Sequence, residues 1–257
     1  MIFNLDDLVT RKSYNHDIIF KIIKIENDTA YLKGVEVRLL ADAPLSDIEI
    51  YNDIVRDDFD VDIEEINQER NNDFFYLPGK ILHLDSDGDY LEKCLKFYKG
   101  KKVYATGKKI KEENMSSQIP MLLKSYRPDI LVITGHDAYN KKLGNINDMK
   151  SYKNSYNFIK AVKEARKYEK SHEKLVIIAG ACQSNYEELI KAGANYASSP
   201  KRVNIHALDP AIIATTVAVT ERSKQVDLIS LLSKTKYGKD GMGGIIGTGL
   251  MYVGFPR

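Results

Sequence analysis

A cysteine and a histidine stand at matching places in two similar segments of the chain. The segments "ILVITGHD" (130–137) and "LVIIAGAC" (175–182) each run from an apolar block through small residues to a reactive side chain. The thiolate is the nucleophilic form of cysteine, and an adjacent imidazole can accept the thiol proton and later protonate a leaving amine. If the two segments are neighbouring strands, His136 and Cys182 form a pair suited to acyl transfer.

Neither residue supports this chemistry alone. Cysteine is among the most buried residue types, so an isolated Cys182 is better explained as a small hydrophobic side chain. A histidine roughly 50 residues upstream, with alanine before the cysteine, has the order and spacing of caspase-type proteases. His206 is a rival base for the thiol. An amidase of the glutamine-amidotransferase kind is a third interpretation, but it favours a histidine downstream of the cysteine.

The two segments belong to a pattern of short apolar runs that alternate with helical stretches, which is typical of a parallel sheet with crossover helices. The predicted strands are 80–87, 101–107, 129–136, 174–180 and 194–200, and the predicted helices lie near 89–99, 115–126, 154–170 and 184–192. Functional groups of such α/β sheets gather at the carboxyl ends of the strands. This is where His136 and Cys182 are expected.

The pattern predicts three regions along the chain. Residues 1–50 are rich in β-branched runs, with Asn27-Asp28 as a turn between two of them, and predict a small SH3-like β-barrel. Residues 51–76 carry an excess of Asp and Glu and predict an acidic linker. Residues 77–257 form the α/β domain. We therefore expect a parallel sheet flanked by helices, preceded by the small barrel.

Composition excludes several classes of function. Lys and Arg number 38 against 36 Asp and Glu, and a net charge of +2 does not favour a nucleic-acid partner. The two cysteines, Cys94 and Cys182, form neither a disulfide framework nor a set of zinc ligands. The N-terminus lacks the pattern of a signal peptide, and no apolar stretch is long enough to span a membrane. These features predict a cytoplasmic protein, and they leave its oligomeric state open.

The paired His and Ala-Cys strands resemble the clan of cysteine peptidases that includes caspases, gingipains, clostripain and separase. More closely, the chain resembles the YabG family of sporulation-specific proteases over nearly its full length. The stretches that carry this resemblance are "LVTRKSYNHDIIFKI", "EVRLLAD", "PGKILHLDSD", "YRPDILVITGHDAY", "GACQSNYEELIKAGANYASSPKRVNIHALDP" and "GMGGIIGTG". The resemblance implies a caspase-like fold and an endopeptidase that acts in the mother cell on proteins of the spore coat, without a metal or cofactor.

Carried over by motif, the resemblance makes Cys182 the nucleophile and His136 the general base. The wider clan usually has glycine after the histidine, whereas here Gly135 precedes it, so Gly135 is a weak candidate for an oxyanion donor. Several relatives in the clan cleave after basic residues, which requires a carboxylate in the substrate pocket. Asp137 and Asp209 are the candidates for that carboxylate.

Three further motifs admit two interpretations each. The polar stretch 198–210 is either a substrate-binding wall that includes Ser198, Asn204, His206 and Asp209, or a loop before a helix capped by Asp209. Asp85 and Asp87 suit a divalent ion, but "DSDGD" is better explained as a turn with Asp89 capping the next helix. The glycine-rich 241–249 lacks a P-loop Lys and predicts a flexible loop or groove edge. A non-enzymatic scaffold of the spore coat is the alternative function.

Overall fold

The structure is a computed structural model that describes residues 3–52 and 73–256. Most of the predicted acidic linker, residues 53–72, lies outside these ranges. Contacts divide the chain into two units, Met1–Asp60 and Val61–Arg257. No helix in the described part of the chain is long and apolar enough to cross a membrane.

The first unit is a five-stranded antiparallel sheet, which confirms that the N-terminal region is rich in β-structure. Its strands are β1 (Leu8–Arg11), β2 (Phe20–Glu26), β3 (Thr29–Gly34), β4 (Leu40–Pro44) and β5 (Ile48–Ile50), in the order β4-β3-β2-β1-β5. Asn27 and Asp28 both have positive φ, 47° and 61°, as a tight hairpin turn between β2 and β3 requires. The apolar core of this sheet includes Val9, Phe20, Ile22, Leu32 and Ile48. Closure into an SH3-like barrel stays a prediction.

The β-branched run that follows the Asn27-Asp28 turn forms two strands, β3 and β4. The run 29–42 breaks after β3, where the N–H of Gly34 donates to the carbonyl of Leu39 at 2.8 Å. A Cβ at Gly34 would lie 2.3 Å from the carbonyl oxygen of Val37, so the turn has no room for a side chain there.

The second unit contains every predicted strand and helix of the α/β domain. Its strands are β6 (Phe75–Leu77), β7 (Ile81–Asp85), β8 (Ala105–Lys109), β9 (Ile130–Thr134), β10 (Val176–Ala179), β11 (Tyr196–Ser198), β12 (Met242–Gly244) and β13 (Tyr252–Gly254). Its helices are α1 (Gly88–Gly100), α2 (Glu112–Tyr126), α3 (Ser155–Tyr168), α4 (Tyr186–Lys191), α5 (Asp209–Val219), α6 (Leu228–Ser233) and α7 (Gly238–Gly241). Six strands form one sheet in the order β12-β11-β10-β9-β7-β8.

The central strands are apolar on both faces because helices cover both faces. Alternate residues such as Leu131, Ile133 and Ile177 share a core cluster with α2 and α3. The opposite face contacts α1 and α5. Burial on both sides explains why β7, β9 and β10 read as continuous apolar runs, which is typical of parallel strands.

The sheet is mixed, since β12 pairs antiparallel with β11 and the remaining pairs are parallel. The glycine-rich stretch was predicted as a loop, but Met242–Gly244 forms this edge strand. A Cβ at Gly244 would lie 2.4 Å from the ring of Tyr196, and one at Gly243 would lie 2.8 Å from the Tyr186 hydroxyl. These glycines allow close packing of the edge. A separate antiparallel pair, β6 with β13, was not predicted.

The predicted helix caps were each displaced from the observed ones. The N-cap of α1 is Asp87 rather than Asp89, and the N-cap of α4 is Asn185. Helix α5 begins at Asp209 itself, after Leu208, so Asp209 is not its cap. In the first two cases the cap side chain accepts backbone N–H groups of the first helical turn.

The strand order creates a crevice between the carboxyl ends of β7 and β9. The chain leaves β7 toward β8 on one side and returns through β9 on the other. Ligands of open α/β sheets bind at such a switch in strand order. The residues that follow β7 and β9 are therefore the ones to consider for function.

Candidate active site

The sheet places the segments of His136 and Cys182 side by side. Strands β9 and β10 are parallel neighbours, and Ile133 pairs with Ala179. His136 and Cys182 each come three residues after that pair, so both follow the carboxyl end of their strand at the same edge of the sheet. The expectation that the two strands are adjacent is confirmed.

The loops that leave these two strands are hydrogen-bonded to each other beside the candidate pair. Directly after His136, the Oδ2 atom of Asp137 accepts the hydroxyl of Ser184 at 2.9 Å. Directly after Cys182, the Oε1 atom of Gln183 accepts the backbone N–H of Tyr139 at 3.1 Å. The two loops therefore stay together beyond the end of the sheet.

Asp137 is the centre of this connection. Its Oδ1 accepts the backbone N–H groups of Asn154 at 2.7 Å and Ala138 at 2.9 Å. Its Oδ2 accepts the hydroxyl of Ser155 at 2.5 Å as well as that of Ser184. The residue is only 4% exposed. Burial raises the pKa of the Asp137 carboxyl, although the four hydrogen bonds act in the opposite direction.

Cys182 lies in a tight turn and is fully buried. Gly180 and Gln183, on either side of it, have positive φ values of 108° and 56°. A side chain at Gly180 would also collide with Ser198, whose Oγ lies 2.4 Å from the Cβ position. The Sγ atom of Cys182 lies 3.3 Å from the backbone nitrogen of Ile205, which donates to it. The Sγ atom in turn donates to the carbonyl oxygen of Ile205 at 3.8 Å.

His136 is held by three elements at once. Its Nε2 atom lies 3.0 Å from Oδ2 of Asp87, which follows β7. Its backbone N–H donates to Oε1 of Glu112 at 2.9 Å, and its carbonyl accepts Nδ2–H of Asn154 at 2.8 Å. The Nδ1 atom is buried, with no hydrogen-bond partner among the described residues. This nitrogen is the one that has no structural role in the loop.

Glu112 and Ser86 pack against Gly135. The Cβ position of Gly135 lies 2.6 Å from both Oε1 of Glu112 and Oγ of Ser86. Those two side chains are themselves hydrogen-bonded at 2.6 Å. Glycine at 135 thus allows the first turn of α2 to reach the backbone of His136.

The polar stretch after β11 lies against the Cys182 turn. Oδ1 of Asn204 accepts Nε2–H of Gln183 at 3.3 Å, and Ser198 is buried beside Gly180. His206 is 3% exposed, and its Nδ1 accepts the backbone N–H of Leu208 at 3.1 Å.

Asp209 is fully buried and holds the start of α5. Its two oxygens accept the backbone N–H groups of His206 at 2.8 Å and Lys236 at 3.0 Å. The alternative base His206 and the candidate carboxylate Asp209 therefore both participate in the backbone network of this stretch.

Sequence reasoning missed the side chains that hold the pair. Asp87 was assigned to a turn, and Glu112 was not considered because the preceding strand was expected to end at residue 107. Gln183 and Ser155 lie in polar stretches without a distinctive motif. The signal that existed was position, since Asp87 follows a strand next to β9 in the sheet.

The aspartates Asp85, at the end of β7, and Asp87, just after it, have protein partners. Asp85 is fully buried and its oxygens accept the Thr134 hydroxyl at 2.9 Å and the Asp87 N–H at 2.9 Å. Within the described residues, no group of three or more His, Cys, Asp and Glu side chains is placed to hold a metal ion.

Comparison with known proteins identifies the family of the chain. The profile of the family described as "YabG peptidase U57" matches residues 4–60 and 54–256. The chain is 41% identical over 286 aligned residues to the sporulation-specific protease YabG of Bacillus subtilis (strain 168), and the match covers 100% of this chain and 99% of that protein. The chain belongs to the YabG peptidase family. The resemblance seen in the sequence is therefore confirmed, and the chain is a peptidase by family.

YabG membership identifies the general activity but not the groups that perform it. The family description gives a peptidase, and the name of the Bacillus subtilis protein adds sporulation. The roles of Cys182 and His136 rest on the residues themselves.

Proposed function

We propose that this YabG-family protein is a sporulation-specific cysteine endopeptidase with Cys182 as nucleophile and His136 as general base. The observation that carries the proposal is the pair of hydrogen bonds joining the two loops, from Ser184 to Asp137 and from Tyr139 to Gln183. These bonds flank the candidate residues, so the thiol and the imidazole belong to one connected edge of the sheet.

The chemistry follows from the two groups. The Sγ–H proton of Cys182 passes to His136, and the thiolate attacks the carbonyl carbon of the scissile peptide bond. The C–N bond then breaks, and the leaving amine takes the proton from the imidazolium. Water attacks the resulting thioester while His136 accepts a proton from it. The C–S bond then breaks, the new carboxyl terminus leaves, and the imidazolium returns its proton to the thiolate. A backbone N–H near Gly135 or at Cys182 supplies the oxyanion donor in this scheme.

The segment that contains Ile205 covers the thiol, because the backbone of Ile205 contacts Sγ and the thiol is fully buried. A peptide substrate must displace this segment to reach Cys182. Ser198, Asn204 and His206 lie in or next to the same stretch and would then border the bound peptide.

The substrates we propose are proteins of the spore coat and related spore proteins, processed in the cytoplasm of the mother cell. Cleavage after basic residues is part of the proposal, with Asp137 or Asp209 as the candidate carboxylate. The parallel sheet and the order His before Cys support a caspase-like fold. The small antiparallel first unit is proposed as an SH3-like barrel that holds a partner or substrate.

The decisive experiment replaces the nucleophile in the full chain. Cys182→Ala and the matched control Cys94→Ala are incubated with candidate coat proteins, and new N-termini are mapped by mass spectrometry. Cys94 is the other buried cysteine of the chain. We expect cleavage to disappear in Cys182→Ala and to persist in Cys94→Ala. Unchanged cleavage by Cys182→Ala would sink the proposal.

Burial of Cys182 favours one alternative, a non-enzymatic scaffold of the spore coat. A scaffold predicts that alkylating Cys182 leaves function intact, whereas a cysteine peptidase loses activity in step with labelling. Iodoacetamide labelling followed by the same cleavage assay distinguishes the two.

A further inference from the structure

Asp87 stands between α1 and His136 and uses its two carboxylate oxygens for different purposes. Oδ1 caps α1 by accepting the backbone N–H groups of Asp89 at 2.9 Å and Tyr90 at 3.3 Å. Oδ2 lies 3.0 Å from Nε2 of His136. The Asp87 and His136 side chains are only 10% and 13% exposed. The carboxylate is therefore fixed by the helix while it contacts the imidazole.

The contact decides which imidazole nitrogen carries the proton. An ionised carboxylate only accepts hydrogen bonds, so Nε2 must be the protonated nitrogen. In the neutral ring, Nδ1 then carries the lone pair, and Nδ1 is the buried nitrogen without a partner among the described residues. A base for the thiol requires this lone pair.

We infer that Asp87 is a positioning residue that holds Nε2–H of His136 and so presents Nδ1 as the base toward Cys182. The inference rests on the proposed function, and no proton passes to Asp87. When His136 takes the proton of the thiol at Nδ1, the positive charge of the imidazolium is stabilised by the carboxylate at Nε2.

A buried series of hydrogen bonds connects the Tyr98 hydroxyl to the backbone N–H of Asp87. The Tyr98 hydroxyl lies 2.9 Å from Nδ1 of His83, and Nε2 of His83 lies 2.9 Å from Oγ1 of Thr134. Thr134 donates to Oδ2 of Asp85, and Oδ1 of Asp85 accepts the backbone N–H of Asp87. Thr134 is two residues before His136 on β9.

This series of hydrogen bonds fixes the carboxyl ends of β7 and β9 relative to each other. It joins β7, β9 and α1 around side chains that are 0% exposed. Glu112 and Asn154 hold the backbone of His136 from the other side. The ring can therefore be oriented without a large entropic cost when substrate binds.

The test uses two substitutions that keep the helix cap and change the contact with the ring. Asp87→Asn retains an acceptor oxygen for the cap but offers Nδ2–H to His136, which favours the wrong tautomer. Asp87→Ser retains a good cap but does not reach the ring. The matched control is Asp227→Ser, because Asp227 caps α6 by accepting the N–H of Ser230 at 3.1 Å.

The direct readout is the ¹⁵N chemical shifts of the histidine side chains in the full chain, with His136 assigned by comparison with His136→Gln. We expect His136 of the wild type in the Nε2–H form and Asp87→Asn shifted toward the Nδ1–H form. A wild-type ring in the Nδ1–H form, or a tautomer unchanged in Asp87→Asn, would overturn the inference. This readout requires no substrate.

Cleavage of a coat protein supplies the second readout. Asp87→Asn should lower kcat on the order of 10²-fold to 10⁴-fold with little change in KM, since the wrong tautomer removes the base but not the binding site. Asp227→Ser should cleave at the wild-type rate. If the tautomer shifts as expected while Cys182→Ala still cleaves, the proposed function fails and the pairing of Asp87 with His136 stands.

Discussion

The loop of His136 contacts two regions, and their chemistry differs. On the β7 side the partners are titratable groups, with Asp87 at the imidazole and Glu112 at the backbone. On the β10 side Asp137 accepts only neutral donors, which are hydroxyls and backbone N–H groups. Charge is therefore placed where a proton is proposed to move, and neutral hydrogen bonds are placed where the loops are joined.

The two aspartates show the difference most directly. Asp87 faces an imidazole that becomes positive when it accepts the thiol proton in the proposed reaction, and its carboxylate is placed to stabilise that charge. Asp137 faces no cation in the bonds described, and burial raises its pKa. One carboxylate acts on the reaction through His136, and the other acts on the geometry of the loops.

The largest effect on activity is expected from substitution of the proposed base, His136. His136→Ala should lower kcat/KM for a coat protein about 10²-fold to 10⁴-fold, the usual contribution of a general base. His206→Ala removes a side chain whose Nδ1 accepts a backbone N–H, so it should lower the melting temperature more than the rate. Steady-state cleavage and thermal unfolding of both variants measure this.

The opposite ranking would reassign the base. Suppose that kcat/KM falls more in His206→Ala than in His136→Ala at a temperature where both variants are folded. The charged groups on the β7 side would then have no catalytic role, and the proposed difference between the two regions would be wrong.

The next effect is expected on stability, at Asp137. Asp137→Ala leaves two backbone N–H groups and two hydroxyls without their acceptor, which should lower the free energy of unfolding by about 3 kcal/mol or more. Asp137→Asn should cost less, because its oxygen keeps both N–H partners and its amide can donate to both serine hydroxyls. Urea unfolding of the two variants and the wild type provides the measurement.

The pH dependence of the same variants sharpens this prediction. A carboxyl with a raised folded pKa binds more protons in the folded than in the unfolded state between the ordinary value of 3.8 and the raised value. Its contribution to stability is therefore lost as pH rises through that window. Asp137→Asn should lack this loss, whereas an identical pH slope in wild type and Asp137→Asn would contradict the assignment.

The adjacency of the strands that precede His136 and Cys182 could be predicted from the sequence because it depends on local patterns. Apolar blocks identified β9 and β10, and their equal spacing to His136 and Cys182 placed both at one edge. Strand β8 was predicted too early, at 101–107, since the turn after α1 continues through Lys102, which has a φ of 57°. Errors of this kind arise where apolar residues extend into a turn.

The side chains that hold the pair could not be predicted in this way. Asp87 and His136 are 49 residues apart and meet because β9 inserts beside β7 rather than beside β8. That strand order is set by tertiary packing, and no local sequence pattern predicts it. The same holds for Asp137 and Ser184, which are 47 residues apart.

The smallest effect is expected at Gln183. Its substitution tests whether the neutral hydrogen bonds on the β10 side affect the reactivity of the Cys182 thiol. Gln183→Ala removes the acceptor for Tyr139 N–H and the donor to Asn204, a loss of about 1 kcal/mol or fivefold in kcat/KM. Gln183→Glu separates the two contacts, because it retains an acceptor oxygen for Tyr139 N–H and loses only the donor to Asn204. The alkylation rate of Cys182 by iodoacetamide should rise in the alanine variant, since the covering stretch loses a contact. Equal rates of cleavage and alkylation in all three proteins would contradict this prediction. Asp137 would then be the only residue on the β10 side whose hydrogen bonds between the loops affect the site.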